Sequence, residues 1–180
     1  VEVTSGTERR IGGADIVASS NRGERMRVLV AYGTKMGGTQ GLAEMVGSDL
    51  EDLGHTVDVL SAEDVKDIDG YEAVILGGAL YYFISWHKDA RVFVKRHKSA
   101  LRQRPVWLFS SGPLDDSATE KEIPPIKFVK RAMEQVGARG HVTFGGRLEE
   151  KQGNLPVGDW RNPEHVRRWA EQVSAELAAN

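Results

Sequence analysis

The feature that most constrains this chain is an abrupt change of period at its first glycine-rich turn. Arg27–Tyr32 (RVLVAY) is a short run dominated by apolar residues, and after Gly33-Thr34-Lys35-Met36-Gly37-Gly38 the pattern becomes helical. The run reads as a strand buried on both faces. Thr39–Leu53 then carries Leu42, Met45, Val46, Leu50 and Leu53 at helical spacing, and Gly54 stands where a helix-ending glycine belongs. The alternation continues. Thr56–Leu60 is predicted as the second strand, Ala73–Leu76 before Gly77-Gly78 as the third, Val106–Ser110 as the fourth and His141–Phe144 as the fifth. Ser61–Tyr71 has room for one or two helical turns. Ser85 is expected to cap a helix from Trp86 to about Leu101, and a helix from about Pro125 to Val136 ends at Gly137. Asn162-Pro163 opens the last helix as N-cap and first residue, with Val166, Trp169, Ala170, Val173 and Leu177 on one face. Such a pattern predicts an α/β fold: a doubly wound, five-stranded parallel sheet in the order 2-1-3-4-5, with helices on both faces.

Composition bounds the classes that remain. The 180 residues carry a net charge of −2 and a pI near 6.2, which argues against a general nucleic-acid binder. There is no cysteine, so disulfides, thiolate metal sites and cysteine nucleophiles are excluded together. No apolar run approaches the roughly 20 residues of a membrane-spanning helix, and the expected setting is cytoplasmic. Residues 1–25 differ from the rest: they hold Gly6, Gly12, Gly13 and Gly23 among Ser, Thr and charged residues, without an aromatic side chain. Too little apolar surface is present there to offset the ordering entropy, so the expected organisation is a flexible arm, 1–25, followed by a single domain, 26–180. Met26, just before the first strand, is an alternative start.

In the order 2-1-3-4-5 the sheet reverses direction between strands 1 and 3, and a ligand belongs at their C-terminal edge. The first loop there contains Thr34, Lys35, Met36, Gly37, Gly38 and Thr39. Its glycines allow close backbone approach to an anion, and the free N–H groups of the helix start point at it. A tight turn serving only close helix packing is the alternative for this loop taken alone. The second loop is aromatic: Tyr81, Tyr82, Phe83 and Trp86 fall within six positions, out of 13 aromatic residues in the chain. Such a cluster suits a flat ring, although any one of the four can equally be core. A third loop, Ser110-Ser111-Gly112-Pro113-Leu114, leaves strand 4 on the same edge and can offer backbone N–H groups. A phosphate cradle beside a ring slot indicates a mononucleotide with a large flat base, and FMN fits best.

Competing templates fail on spacing. The first loop has neither the Lys-Ser/Thr of a Walker loop after Gly38 nor a glycine at position 35 for a dinucleotide fingerprint. No His-Glu-x-x-His occurs, and neither Ser110 nor Ser111 stands in Gly-x-Ser-x-Gly. A phospho-receiver of the same strand order needs acids after strand 1, an Asp ending strand 3 and a Lys ending strand 5; those ends are Tyr32-Gly33, Leu76-Gly77 and Phe144-Gly145. His87 lies near the ring loop and is read as a solvated histidine at a helix start. An interaction module on the same fold without cofactor remains as a minor alternative.

The segments VLVAYGTKMGGTQGLAEMV, VILGGALYYFISWHKDARVFVKRH and VWLFSSGPL, in this order, resemble the flavodoxin family. They are most similar to its branch of menaquinone-dependent protoporphyrinogen dehydrogenases and related bacterial flavodoxin-domain proteins. The resemblance covers about Arg27 to Leu177. Thr34, Gly37 and Thr39 match the family's phosphate loop, Thr/Ser-x-Thr-Gly-x-Thr, while Met36 replaces a hydroxyl. By resemblance, Gly78, Ala79, Leu80, Tyr81, Tyr82, Phe83 and Trp86, with Ser111, Gly112, Pro113 and Leu114, border the isoalloxazine. The family implies an FMN protein that exchanges electrons with a redox partner protein or a small donor or acceptor, no side chain acting as nucleophile or base. The quinone-dependent dehydrogenase activity of the branch is the alternative. That branch carries a longer, partly apolar insertion near strand 5, whereas Gly146–Asn162 here is short and polar.

Charge is uneven along the chain. Thr39–Glu72 holds ten acids against Lys66, and Trp86–Arg104 holds seven bases against Asp89. An acidic rim can steer a basic electron-transfer partner, and the basic helix can meet an anionic substrate or lipid; solvated helix faces explain both runs as well.

Overall fold

The computed structural model describes residues 25–82 and 84–179. The expected arm, Arg25 apart, lies outside the described residues. The elements in chain order are β1 (Arg27–Gly33), α1 (Gly38–Asp52), β2 (Thr56–Ser61), β3 (Ala73–Tyr81), β4 (Ser85–Trp86), α2 (Lys88–Leu101), β5 (Val106–Ser111), α3 (Ser117–Glu120), α4 (Lys127–Val136), β6 (Gly140–Phe144), β7 (Arg147–Leu148), β8 (Gly158–Asp159) and α5 (Pro163–Ala178). The main strands run parallel in the order β2-β1-β3-β5-β6, which is the predicted topology; β4 adds an antiparallel pair to β3, and β7–β8 form a small ribbon of their own.

Successive strand residues point to opposite faces, and here both faces are buried. Leu29, Ala31, Val74, Leu76, Val106 and Leu108 pack beneath α2 and α4 with Phe93, Val94, Leu101, Val129 and Val136. Their neighbours Val28, Val30, Ala73, Ile75, Trp107 and Phe109 pack beneath α1 and α5 with Leu42, Val46, Leu50, Val166, Trp169 and Val173. Asn162 accepts the His165 N–H at 3.1 Å as N-cap of α5, and Gly137, left-handed, ends α4 as expected.

Three expectations are corrected. The third strand does not stop at Gly77-Gly78 but continues to Tyr81. A Cβ on Gly77 would lie 2.0 Å from Phe109 Cζ, and one on Gly78 2.3 Å from Trp86 Nε1. The two glycines make room for rings within the strand; they do not end it. Beyond Ser61, which ends β2, the chain as far as Tyr71 forms turns and no helix. Ala62, Val65 and Ile68 enter the core, while the carbonyls of Val65, Ile68 and Tyr71 accept from the Arg96 and Arg104 guanidiniums instead of from a helical ladder. Finally, α2 starts at Lys88. Ser85 and Trp86 are drawn into the β3–β4 hairpin, and His87 becomes the N-cap, its Nδ1 accepting the Asp89 N–H at 3.2 Å.

His141 on the edge strand β6 lies 2.9 Å from Ser110 Oγ through Nε2, and burial lowers its pKa from 6.5 to about 4. A depressed histidine pKa means that the fold prefers the neutral ring. Its contribution to stability is complete above pH 6.5 and is lost as pH falls towards 4, about 2.5 kcal/mol between pH 7 and pH 4.5. Denaturant titrations of the wild type and His141→Gln at these two pH values should show a smaller loss in the variant; parallel losses would contradict this origin.

Candidate functional site

The C-terminal edge of the sheet opens into a cleft of about 460 Å³, in the range of small-molecule sites (roughly 300–1,000 Å³). Four chain segments meet in it: Thr34 to Thr39 after β1, Ala79 to Tyr82 at the end of β3, Ser111 to Asp115 after β5, and Gly146 to Leu155 after β6.

The first segment forms the polar end. Gly37 is the N-cap of α1 with φ +80°, and no side chain caps the helix. A residue with a Cβ would be strained there, which is the reason for glycine at this position. Thr34 Oγ1 accepts the Gly37 N–H at 3.0 Å, and the first helical bond runs from Gly41 N–H to Gly37 O at 3.1 Å. The N–H groups of the first turn therefore have no intrahelical acceptor. Thr39 is 1% exposed, and its hydroxyl is buried with no partner among the described residues. An orphaned hydroxyl beside an uncapped helix start is an arrangement that can receive an anion.

The second segment is a wall built by the hairpin. Leu80 pairs with Trp86 and Tyr81 with Ser85, and a turn closed by Ile84 N–H on Tyr81 O puts Tyr82 at φ 51°. Tyr82 is 79% exposed at the tip, whereas Tyr81 is partly buried against the His87 ring, 5.8 Å away. Burial, with Asp89 next, raises the Tyr81 pKa, so the phenol is neutral at physiological pH; burial likewise lowers the His87 pKa, opposed by Asp89. His87 is thus a capping residue wedged between elements, and not the solvated side chain expected.

The ring-bordering residues separate into two groups. Ala79, Leu80, Tyr81, Tyr82, Ser111, Gly112 and Leu114 line the cleft, as do Thr34, Lys35, Met36, Gly38 and Thr39. Trp86 does not: it is fully buried, and its Nε1 donates to Gly78 O at 3.0 Å, so both residues shape the strand from within. Pro113 is buried behind the wall, where its carbonyl accepts the Gly146 N–H at 2.7 Å. Gly37 borders the neighbouring groove between α1 and α5. Phe83 lies outside the described residues.

Sequence reasoning missed the fourth segment. Gly146, Arg147, Leu148, Gln152 and Leu155 line the cleft, and the Gln152 amide reaches Met36 Sδ at 3.1 Å. The β7–β8 ribbon holds this segment in place: Trp160 N–H donates to Gly146 O at 2.9 Å. Its polarity hid it, but its position after the last strand of the same edge was the available signal.

Comparison with known proteins agrees with this fold. A family model described as "Flavodoxin domain" matches residues 29–155. The chain is 28% identical over 87 residues to protoporphyrinogen IX dehydrogenase [quinone] of Escherichia coli K12, a match covering 47% of this chain and spanning 48% of that protein. It is 27% identical over 165 residues to flavodoxin 1 of Salmonella typhimurium, covering 82% of this chain and 93% of the relative. Among solved structures, a flavodoxin from the domain Archaea superposes with a TM-score of 0.59 at 17% identity, over 84% of this chain and 99% of that one, a likeness of fold. Among the described residues no helix is long and apolar enough to cross a membrane. With its strand order, its uncapped glycine turn and a family match over most of its length, the chain belongs to the flavodoxin-domain family, whose members bind FMN.

Proposed function

We propose that this chain is an electron carrier that holds FMN in the cleft, with the phosphate on the 34–39 turn and the ring system between the Tyr81–Tyr82 wall and the 146–155 segment. The observation that supports it best is the orphaned Thr39 hydroxyl at an uncapped helix start. Thr34, Gly37, Gly38 and Thr39 would receive a dianion through backbone N–H groups and hydroxyls, largely without formal charge. Leu80, Leu114, Leu148 and Leu155 would exclude water from the ring, and Ser111 and Gly112 would present polar groups at its edge. Bound FMN supplies one- and two-electron transfer; the protein supplies position, access and electrostatics. The setting we propose is cytoplasmic, with a soluble redox protein or a small donor or acceptor as partner.

The likeness to the quinone-dependent dehydrogenase supports a second reading, oxidation of protoporphyrinogen. Against it, the segment after β6 closes one flank of the cleft with Leu148, Gln152 and Leu155. A flavin would take up most of a cleft of about 460 Å³, leaving a tetrapyrrole to bind outside it.

Two experiments test these readings. Thr39→Val keeps the shape and removes the hydroxyl, so it should act in opposite directions on the two states. Without FMN the variant should be as stable as the wild type or up to about 1–2 kcal/mol more stable, because a buried unsatisfied group is gone; with FMN it should bind about 1–3 kcal/mol more weakly. Denaturation of the flavin-free protein and titration of flavin fluorescence read the two effects, and equal FMN affinity would refute the phosphate placement. In anaerobic stopped-flow mixing, a carrier should exchange electrons readily with a reductase or small dyes and be reduced slowly or not at all by protoporphyrinogen. Rapid, saturable reduction by protoporphyrinogen, with reoxidation by a menaquinone analogue, would establish the dehydrogenase instead.

A further inference from the structure

The two charged stretches of the sequence meet different fates in the fold. On the acidic side, arginines pair with three carboxylates: Arg167 reaches Asp49 at 3.4 Å and Asp52 at 3.6 Å, and Arg27 reaches Asp58 at 2.9 Å. The other arginine ion pairs among the described residues join Arg147 to Glu149 and Asp159, Arg161 to Asp159, and Arg167 and Arg168 to Glu171 and Glu164. None of these pairs involves α2 or α4.

On α2, Lys88, Arg91, Lys95 and Lys98 recur at three- and four-residue spacing, so they share one face. That face lies beside α4, since the Arg91 guanidinium sits 5.8 Å from the centre of the Phe128 ring and Arg102, next on the stripe, donates to Gln135 O at 3.2 Å. On α4, Phe128, Arg131 and Gln135 share the facing side, with Lys127 at the helix start. All four cations of the α2 stripe, with Lys127 and Arg131, are exposed, and Phe128 is 45% exposed among them. The stripe begins one residue beyond the His87 cap and thus runs from the β3–β4 hairpin. The tip of that hairpin presents Tyr82 on the cleft and Ile84, 71% exposed.

A row of unpaired cations around an exposed aromatic ring, starting beside the mouth of the cleft, has the composition of a protein docking site: charge for steering and register, apolar anchors for contact. We infer that the α2–α4 face and the hairpin tip dock an acidic redox protein, which meets the cofactor edge beside Tyr82. This rests on the carrier reading for its purpose and not for its measurement. The cations and the Phe128 ring lie on one ridge of two packed helices, and charge complementarity specifies an acidic surface.

The test uses an acidic [2Fe–2S] ferredoxin as probe, labelled for fluorescence anisotropy and titrated with the full chain, with and without FMN. Binding at low salt should weaken steeply as salt is raised. The double variant Lys95→Glu/Arg131→Glu should weaken it roughly tenfold or more, while Glu51→Lys on the opposite side leaves it within about twofold. In stopped flow, reduced ferredoxin passes one electron per cluster to the oxidised flavin; the double variant should slow this step in parallel and leave reoxidation by dioxygen unchanged. Salt-insensitive binding, or binding indifferent to the double reversal, would overturn the proposal, as would binding only to anionic phosphatidylserine vesicles. A chain that docks ferredoxin but takes up no flavin would refute the carrier reading and leave this surface standing.

Discussion

Burial of the sheet on both faces governs what else this chain can do. Alternate residues of β1, β3 and β5 are committed to one core or the other, so a buried strand has no side to spare for a ligand. Polar chemistry is confined to the ends of the strands. At the C-terminal ends the order β2-β1-β3-β5-β6 diverges, because the connections after β1 and β3 leave towards opposite faces. The cleft is the gap between them. Beneath it, Phe109 over Gly77 and Trp86 over Gly78 occupy the space that side chains would take, within a strand that continues to Tyr81.

Much of this was legible in the sequence, for physical reasons. Strand order followed from alternating periods and right-handed crossovers, and the place of the uncapped turn from glycines at a strand-to-helix junction. What misled was composition taken without depth. Gly77-Gly78 looks like punctuation until Phe109 and Trp86, distant in sequence, are laid over it. Trp86 looked like part of an exposed aromatic cluster, but a ring two residues ahead of a helix can turn inward as easily as outward, and a strand with a glycine notch decided it. Ser61–Tyr71 had the three-residue spacing of a helix without its length, and Arg96 and Arg104 claimed its carbonyls. The 146–155 segment was read only as shorter and more polar than the insertion of the related branch, because polarity says nothing about which edge a loop closes.

The same distinction applies to charge. Counts along the chain gave two opposite runs, yet only the fold divides them into cations that anchor and cations left for solvent. Arg96, Arg102 and Arg104 hold carbonyls of neighbouring segments. Lys95, Lys98, Lys127 and Arg131 have no such duty in the described chain. In the function we propose, the roles divide along similar lines: the sheet edge would hold the cofactor, and the surface around the edge would select who reaches it.

The central claim is that the turn at Gly37 and Thr39 is a phosphate cradle. It is tested most directly by comparing the affinities of FMN and riboflavin for the flavin-free protein, by quenching of flavin fluorescence at one pH and salt concentration. Two or more charge-assisted hydrogen bonds to the phosphate predict that FMN binds at least about a hundredfold more tightly. Equal affinities would mean that the turn serves packing alone.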